Sequence, residues 1–303
     1  MRIGFIGLGN IGGGAAGNLA DAGFDLHVTD LSAERVAAIV ARGAAPADDA
    51  LAAATGADVV FTSVPGPPQL RQLAGLEGQP GILDVMAPGS TWIELSTNDG
   101  ATAAEMRDAA AAKSVRLIDA PVSGGPEGAA AGTLSIFVGG DADAVADVRP
   151  LLEVIGSKVD HVGPAGAGIV AKIAQVTLCY TQTVTLIEAL LLGVKGGVDP
   201  AMMLDLIQNS AGRSYVADAY GPEILAGTYD ASFPISHAAK DMRLANALAE
   251  QLGLELPFLA DVNDLYAETE STYGSTSAHL LAAQLLERRN DLVLHELPGR
   301  EPT

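Results

Sequence analysis

From Gly163 to Val194 the chain runs GPAGAGIVAKIAQVTLCYTQTVTLIEALLLGV, and its only charged residues are Lys172 and Glu188. A lone lysine in an apolar helix must reach water with its head, pair with an acid or give up its proton, because an unpaired buried ammonium is costly. The last outcome makes a general acid–base, since an amine of lowered basicity can take a hydroxyl proton and return it. A second group with chemical potential stands at the start of the chain, at Gly7-Leu8-Gly9-Asn10-Ile11-Gly12. It follows the apolar run Arg2–Ile6 and opens a helical pattern over Asn10–Asp21. In such a junction the first glycine permits a tight turn, the second lets a pyrophosphate approach the backbone, and the third lets helix pack on strand. The helix start then offers N–H donors and a positive dipole end. Among 35 glycines this pattern alone says little. It gains weight from Asp30, which ends the next strand-like run, Asp25–Thr29. An acid there can accept from both ribose hydroxyls and repels a 2′-phosphate, and Leu31 follows where an arginine would favour NADP. The expected cofactor is therefore NAD rather than NADP. The structural alternative is that Asp30 caps a helix beginning near Ser32.

These groups need elements to hold them. Asp58–Val64, Thr91–Leu95, Leu117–Ala120, Leu134–Val138 and a short run near Val159 read as further buried strands, separated by helical patterns. Continuous apolar runs of this kind indicate a largely parallel sheet covered on both faces. Ligands on such sheets gather beyond the carboxyl ends of the strands, which makes Val64-Pro65 and Ser96-Thr97 candidates for cofactor contact. After Val162 strand patterns vanish, and helices are expected over about 166–194, 199–211, 215–227, 236–252, 257–273 and 275–289. The first of these is hydrophobic on nearly every face, so it is buried in a core or in a membrane. Its Lys172, Gln175, Gln182, Glu188 and threonines favour a core. The expected fold is α/β, a doubly wound Rossmann domain over 1–163 with a mostly parallel sheet. A long buried helix joins it to an all-α domain for substrate binding and oligomerisation over 164–290, and a polar tail follows over 291–303.

With 17 basic against 37 acidic residues the net charge is −20, which argues against nucleic acid or an anionic membrane as partner. One cysteine, Cys179, forms no internal disulfide and suits a reducing cytoplasm, and no signal peptide is apparent at MRIGFIG. The five histidines are scattered without zinc-ligand spacing, so no metal is expected. Neither a GxSxG elbow nor a P-loop occurs, which disfavours a hydrolase of those types.

At Asp119-Ala120-Pro121-Val122-Ser123-Gly124-Gly125, continued by Gly128 and Gly132, the sequence resembles the β-hydroxyacid dehydrogenase family, which includes 3-hydroxyisobutyrate, tartronate semialdehyde and 6-phosphogluconate dehydrogenases. The likeness covers most of the chain. Gly7–Gly12 matches the family's cofactor motif, Asp119–Gly125 its substrate motif, Gly163–Lys172 its GxxGxGxxxK segment, and Phe233 to Lys240-Asp241 its FxxxxxxKD segment. The resemblance implies an NAD-dependent oxidoreductase that moves hydride between nicotinamide and a β-hydroxyacid or its semialdehyde or keto counterpart. It implies that Lys172 is catalytic and that Ser123, Gly124 and Gly125 hold the carboxylate of a small substrate. It places Gly7, Gly9, Asn10, Ile11, Gly12, Asp30, Val64, Pro65, Thr97 and Lys240 on the cofactor side, and it implies a homodimer or homotetramer through the helical domain.

One departure matters. Four residues after the lysine the family has asparagine, and here stands Val176, with Gln175 pointing elsewhere around the helix. Either the site takes a larger or less polar substrate with Val176 as an apolar wall, or activity on the usual substrates is weak. Tyr273-Gly274-Ser275-Thr276-Ser277 departs from the family's acidic loop as well. Two alternatives stay open: an imine reductase-like enzyme, though such enzymes generally lack a lysine at this position, and a non-catalytic NAD-binding regulatory protein.

Overall fold

The computed structural model describes residues 1–295 and divides the chain into two compact units, Met1–Lys172 and a second beginning at Ile173. The sequence reading puts the boundary at 163/164. The structural division falls later because the first turn of the long helix bonds back to the sheet.

In the first unit nine strands form one sheet: β1 (Arg2–Ile6), β2 (Asp25–Thr29), β3 (Ala45–Pro46), β4 (Val59–Thr62), β5 (Thr91–Glu94), β6 (Arg116–Asp119), β7 (Val122–Ser123), β8 (Leu134–Gly139) and β9 (Gly156–Gly163). Their order is β3-β2-β1-β4-β5-β6-β8-β7, with β9 on β8. From β3 through β6 every pairing is parallel, and β8 runs antiparallel to β6 and β7. The expected strands are all present, within a residue or two except for β9, which is longer than foreseen. The two-residue strands β3 and β7 are additional, and segments so short carry no periodicity to read. Because β2 and β4 flank β1, successive crossovers leave on opposite sides and open a crevice at the carboxyl end of β1.

Helices α1 (Asn10–Asp21), α2 (Ala33–Val40), α3 (Ala50–Ala54), α4 (Pro67–Ala74), α5 (Gly100–Ala112), α6 (Gly125–Ala131) and α7 (Ala142–Ile155) join the strands. Their apolar faces build two cores, one per sheet face. Leu19, Leu152 and Ile155 belong with Phe5, Ile118 and Ile136 in one, and Leu70 and Met106 with Val60 and Trp92 in the other. Inside the sheet the Trp92 indole N–H donates to Thr62 Oγ1 at 2.9 Å, which satisfies a donor that would otherwise be stranded.

α8 (Ala167–Lys195) leads into the second unit, followed by α9 (Pro200–Gln208), α10 (Tyr215–Ala219), α11 (Gly221–Ala226), α12 (Ile235–Gln251), α13 (Pro257–Tyr273) and α14 (Ala282–Asn290). By length and composition α8 could cross a membrane. Its Ile173, Val176, Tyr180, Thr183, Ile187 and Leu190 are buried, however, as in a core helix. Burial is not all round as the sequence reading held, because Ala174, Leu178, Thr185 and Leu192 form an exposed stripe at helical spacing. Apolar composition cannot distinguish a face covered within the chain from one left open. The expected tail also differs at its start. Leu294 is buried and its N–H donates to the buried Glu287 carboxylate at 2.6 Å, and 296–303 lie outside the described residues.

At the centre of the helical unit the His279 ring is packed edge-on by Tyr220 and Phe233, at centroid distances of 5.1 and 5.3 Å. Burial pushes this imidazole down to about 4, with Asp230 opposing. An unfolded chain takes up that proton near 6.5, so stability is lost as the pH falls from there toward 4. The loss due to this ring is about 3 kcal/mol. In urea unfolding at pH 7 and pH 4, the wild type should therefore lose more stability than His279→Leu by that amount, whereas equal losses would clear the ring of the effect.

Candidate active site

The glycine junction shows why each of its members is small. Gly7 has φ 93°, and a Cβ on it would fall 2.2 Å from the Ser63 carbonyl oxygen. On Gly12 it would fall 2.1 Å from the Gly7 oxygen, so no side chain fits between α1 and its own approach loop. Gly9 is different: it caps α1 with φ −61°, and a Cβ there would meet nothing within 4 Å. The side of the α1 start that Gly9 presents is thus open, as the cradle of a pyrophosphate requires. Asn10 is exposed and Ile11 half-buried at that helix start.

Asp30 ties this loop down. Its Oδ2 accepts from Leu8 N at 2.6 Å and its Oδ1 from Ser32 N at 2.8 Å, while Ser32 itself caps α2. Ser32 rather than Asp30 is the cap of α2, so the capping alternative does not hold, and each Asp30 oxygen keeps a lone pair for a ribose hydroxyl. Arg35 stands 4.0 Å from Oδ1, and Leu31 is fully exposed beside it.

Val64 and Ser96 meet across β4 and β5, the Val64 N–H donating to Ser96 Oγ at 2.9 Å. Ser96 N in turn donates to Glu94, a carboxylate with 1% exposure at the end of an apolar strand, at 2.5 Å. The chain Glu94–Ser96–Val64 holds both loops at the carboxyl edge, with Pro65 exposed and Thr97 half-buried next to it. The sequence reading passed over Glu94. Its signal was a lone acid in the run TWIEL.

At the end of β6 the Asp119 carboxylate accepts from Gly166 N at 2.6 Å and Ile169 N at 3.0 Å, at the start of α8. Burial pushes Asp119 up to about 6 despite these donors. Only glycines allow the approach: a Cβ on Gly168 would fall 2.3 Å from the Phe137 oxygen, and one on Gly139 would fall 2.6 Å from Asp119 Oδ2. Asp119 was legible only as the first letter of a motif, and the role of its carboxylate was missed. Lys172 follows in the next turn, half-buried. On β7, Ser123 is half-buried, and Gly124 and Gly125 have φ 131° and 64°, the left-handed region that admits glycine readily. Gly125 faces open space at the start of α6.

The remaining candidates lie in the second unit. Val176 is buried on α8, and Lys240 Nζ is 3.3 Å from the buried Asp241, which accepts from the Tyr180 hydroxyl at 3.3 Å. The start of α12 is held by the departing loop, Ile235 N and Ser236 N donating to the carbonyls of Ser277 and Ser275. Among the described residues no cluster of metal ligands occurs.

The open face of Gly9 makes a direct prediction. Gly9→Ala should melt within about 2 °C of the wild type, because its backbone angles suit alanine. It should nevertheless weaken NAD binding at least about tenfold by filling the pyrophosphate approach. Titration calorimetry with NAD⁺ checks this, and unchanged affinity would remove the cradle from the cofactor site.

Comparison with known proteins agrees with this geometry. Residues 2–163 match the family described as the NAD binding domain of 6-phosphogluconate dehydrogenase, and residues 166–286 match the NAD-binding family of NADP-dependent 3-hydroxyisobutyrate dehydrogenase. A 3-hydroxyisobutyrate dehydrogenase of Pseudomonas aeruginosa is 39% identical over 272 residues, covering 88% of this chain and 91% of that one. An NAD-dependent L-serine dehydrogenase of the same organism is 36% identical, with 88% and 91% covered. Among solved structures, the 3-hydroxyisobutyrate dehydrogenase of Mycobacterium tuberculosis with L-serine superposes with a TM-score of 0.85 at 28% identity, over 94% of this chain and 99% of that one. A cofactor cradle at the first strand, an acid at the second and matches along both units lead to one assignment: the chain belongs to the β-hydroxyacid dehydrogenase family and is an NAD-dependent dehydrogenase.

Proposed function

We propose that the enzyme interconverts a small β-hydroxyacid and its aldehyde or keto counterpart, with Lys172 as the general acid–base. The observation that carries this reading is the anchorage of α8. Asp119 fastens the start of that helix to the carboxyl end of β6, the edge of the sheet where the parallel strands β1, β4 and β5 also end. Lys172, one turn on, therefore issues from the edge that carries the glycine cradle.

Gly7, Gly9, Asn10, Ile11 and Gly12 hold the pyrophosphate of NAD, and Asp30 its adenosine ribose. Val64, Pro65 and Thr97 line the approach to the nicotinamide end. When bound, NAD⁺ accepts hydride from the substrate carbon. The chain's own groups handle the rest. Ser123 Oγ and the N–H groups of Gly124 and Gly125 bind the substrate carboxylate, the positive φ of both glycines turning those donors outward. Lys172, as a neutral amine, takes the hydroxyl proton during oxidation, and as ammonium returns it to the developing alkoxide during reduction. The relatives' names support the substrate class, because 3-hydroxyisobutyrate and L-serine both carry a carboxylate and a β-hydroxyl. Val176, buried and apolar, forms a wall that favours a less polar substrate than those two. Exposed Leu178 and Leu192 on α8, with Met202 and Leu206 on α9, support self-association through the helical unit. The single cysteine suits a reducing, cytoplasmic setting.

Lys172→Ala should abolish turnover of a β-hydroxyacid panel, read as nicotinamide absorbance, while NAD affinity stays within about twofold. Undiminished turnover would defeat the assignment. On the same panel Val176→Asn should raise kcat/KM for the smallest polar substrates several-fold, and no gain there would remove Val176 from substrate selection.

A further inference from the structure

Asp119 spends its hydrogen bonds on one object. Its two oxygens accept from Gly166 N and Ile169 N, and its 5% exposure leaves little of it to solvent. An aspartate that bonds to first-turn N–H groups places a full negative charge where the helix carries its positive end. Three residues past Ile169 the same helix carries Lys172, roughly 4.5 Å farther along the axis. The other charged groups facing the Asp119 cavity are Glu94 from β5 and Arg107 from α5.

We propose that Asp119 is a positioning residue for the reaction: its carboxylate holds the first turn of α8 on the end of β6 and, through that turn, sets both the place and the basicity of Lys172. The proposal rests on the acid–base role given to Lys172 above. Its two halves share one geometry. The paired N–H bonds fix the helix start, and Gly139 and Gly168 let the strands come close enough for those bonds to form. The negative charge also favours the ammonium form of Lys172 and offsets the helix dipole, which favours the amine. Without that charge, the lysine loses its proton at lower pH.

Asp119→Asn keeps the shape and removes the charge. Asp119→Ser is smaller, keeps a capping oxygen and guards against misfolding of the first variant. In the full-length protein, competitive labelling with acetic anhydride followed by mass spectrometry reads the pH at which Lys172 loses its proton, without needing a substrate. Both variants should move that pH down by roughly one unit. At a pH above the Lys172 titration of every variant, where only the place of the amine differs, the kcat with NAD⁺ and 3-hydroxyisobutyrate or L-serine should fall about tenfold with KM for NAD⁺ little changed. A lowered melting temperature with an unmoved Lys172 titration would overturn the proposal, since a purely structural cap predicts that outcome. Lys172→Ala measured alongside separates the two readings. If it retains turnover, the acid–base role fails whatever the titration shows. If it is inactive while the Asp119 variants titrate like the wild type, Asp119 alone is dismissed.

Discussion

A carboxylate at the end of one strand and the first N–H groups of one helix form the contact on which the arrangement of this enzyme depends. Asp119 is brought to the carboxyl edge by β6, and the start of α8 reaches it after β9. The cost of burying a carboxylate is what raises its proton affinity to about 6. Charge-assisted hydrogen bonds offset that cost, each worth about 1.5–3 kcal/mol. The close fit explains two glycines that no turn requires. Gly139 and Gly168 are small because a methyl group on either would strike the carboxylate or a strand carbonyl.

The same principle organises the cofactor face. Asp30 holds the glycine loop to the start of α2, and Glu94 with Ser96 holds the β4 loop to the β5 loop. Asp30 accepts directly from a backbone N–H of the neighbouring loop, whereas Glu94 holds its own loop at Ser96 N and the Ser96 hydroxyl accepts from the neighbouring one. Loops fixed in this way need not be ordered when a ligand arrives, so less binding energy is lost to conformational entropy. The open space before Gly9 is the place that the proposed function gives to the pyrophosphate.

The helical unit follows other rules. Its centre is aromatic and polar, with Tyr180 packed on Tyr266 at 5.3 Å and bonded to Asp241, which also neighbours Lys240. A buried network of this kind fixes the start of α12 more firmly than apolar packing would, because each polar group loses much if its partner moves. Val176 and the Gly274–Ser277 loop, where the sequence reading expects a departure from the family, both lie on this unit. The loop still anchors α12 through backbone bonds, which any side chains permit. Substrate preference can therefore drift there without loosening the scaffold.

The sequence by itself determined the elements and their class. Apolar runs ending at glycine or at an acid marked the strands of the parallel sheet, and periods of 3.6 marked most helices, α1 and α13 to the residue, but neither the break between α10 and α11 nor the late start of α14 at Ala282. It also pointed to the proposed cofactor cradle, because glycine spacing, a helix start and an acid at the next strand end are local along the chain. Only the tertiary structure decided what the buried acids do. Asp119 bonds to N–H groups about fifty residues away, and Glu94 bonds to Ser96, whose hydroxyl meets Val64 on another strand end; no local pattern encodes which backbone N–H such a group will meet. It alone decided, too, that α8 keeps one face open and that Leu294 returns to the core. Composition states how much surface prefers to leave water, but the packing of the other elements decides which part of it does.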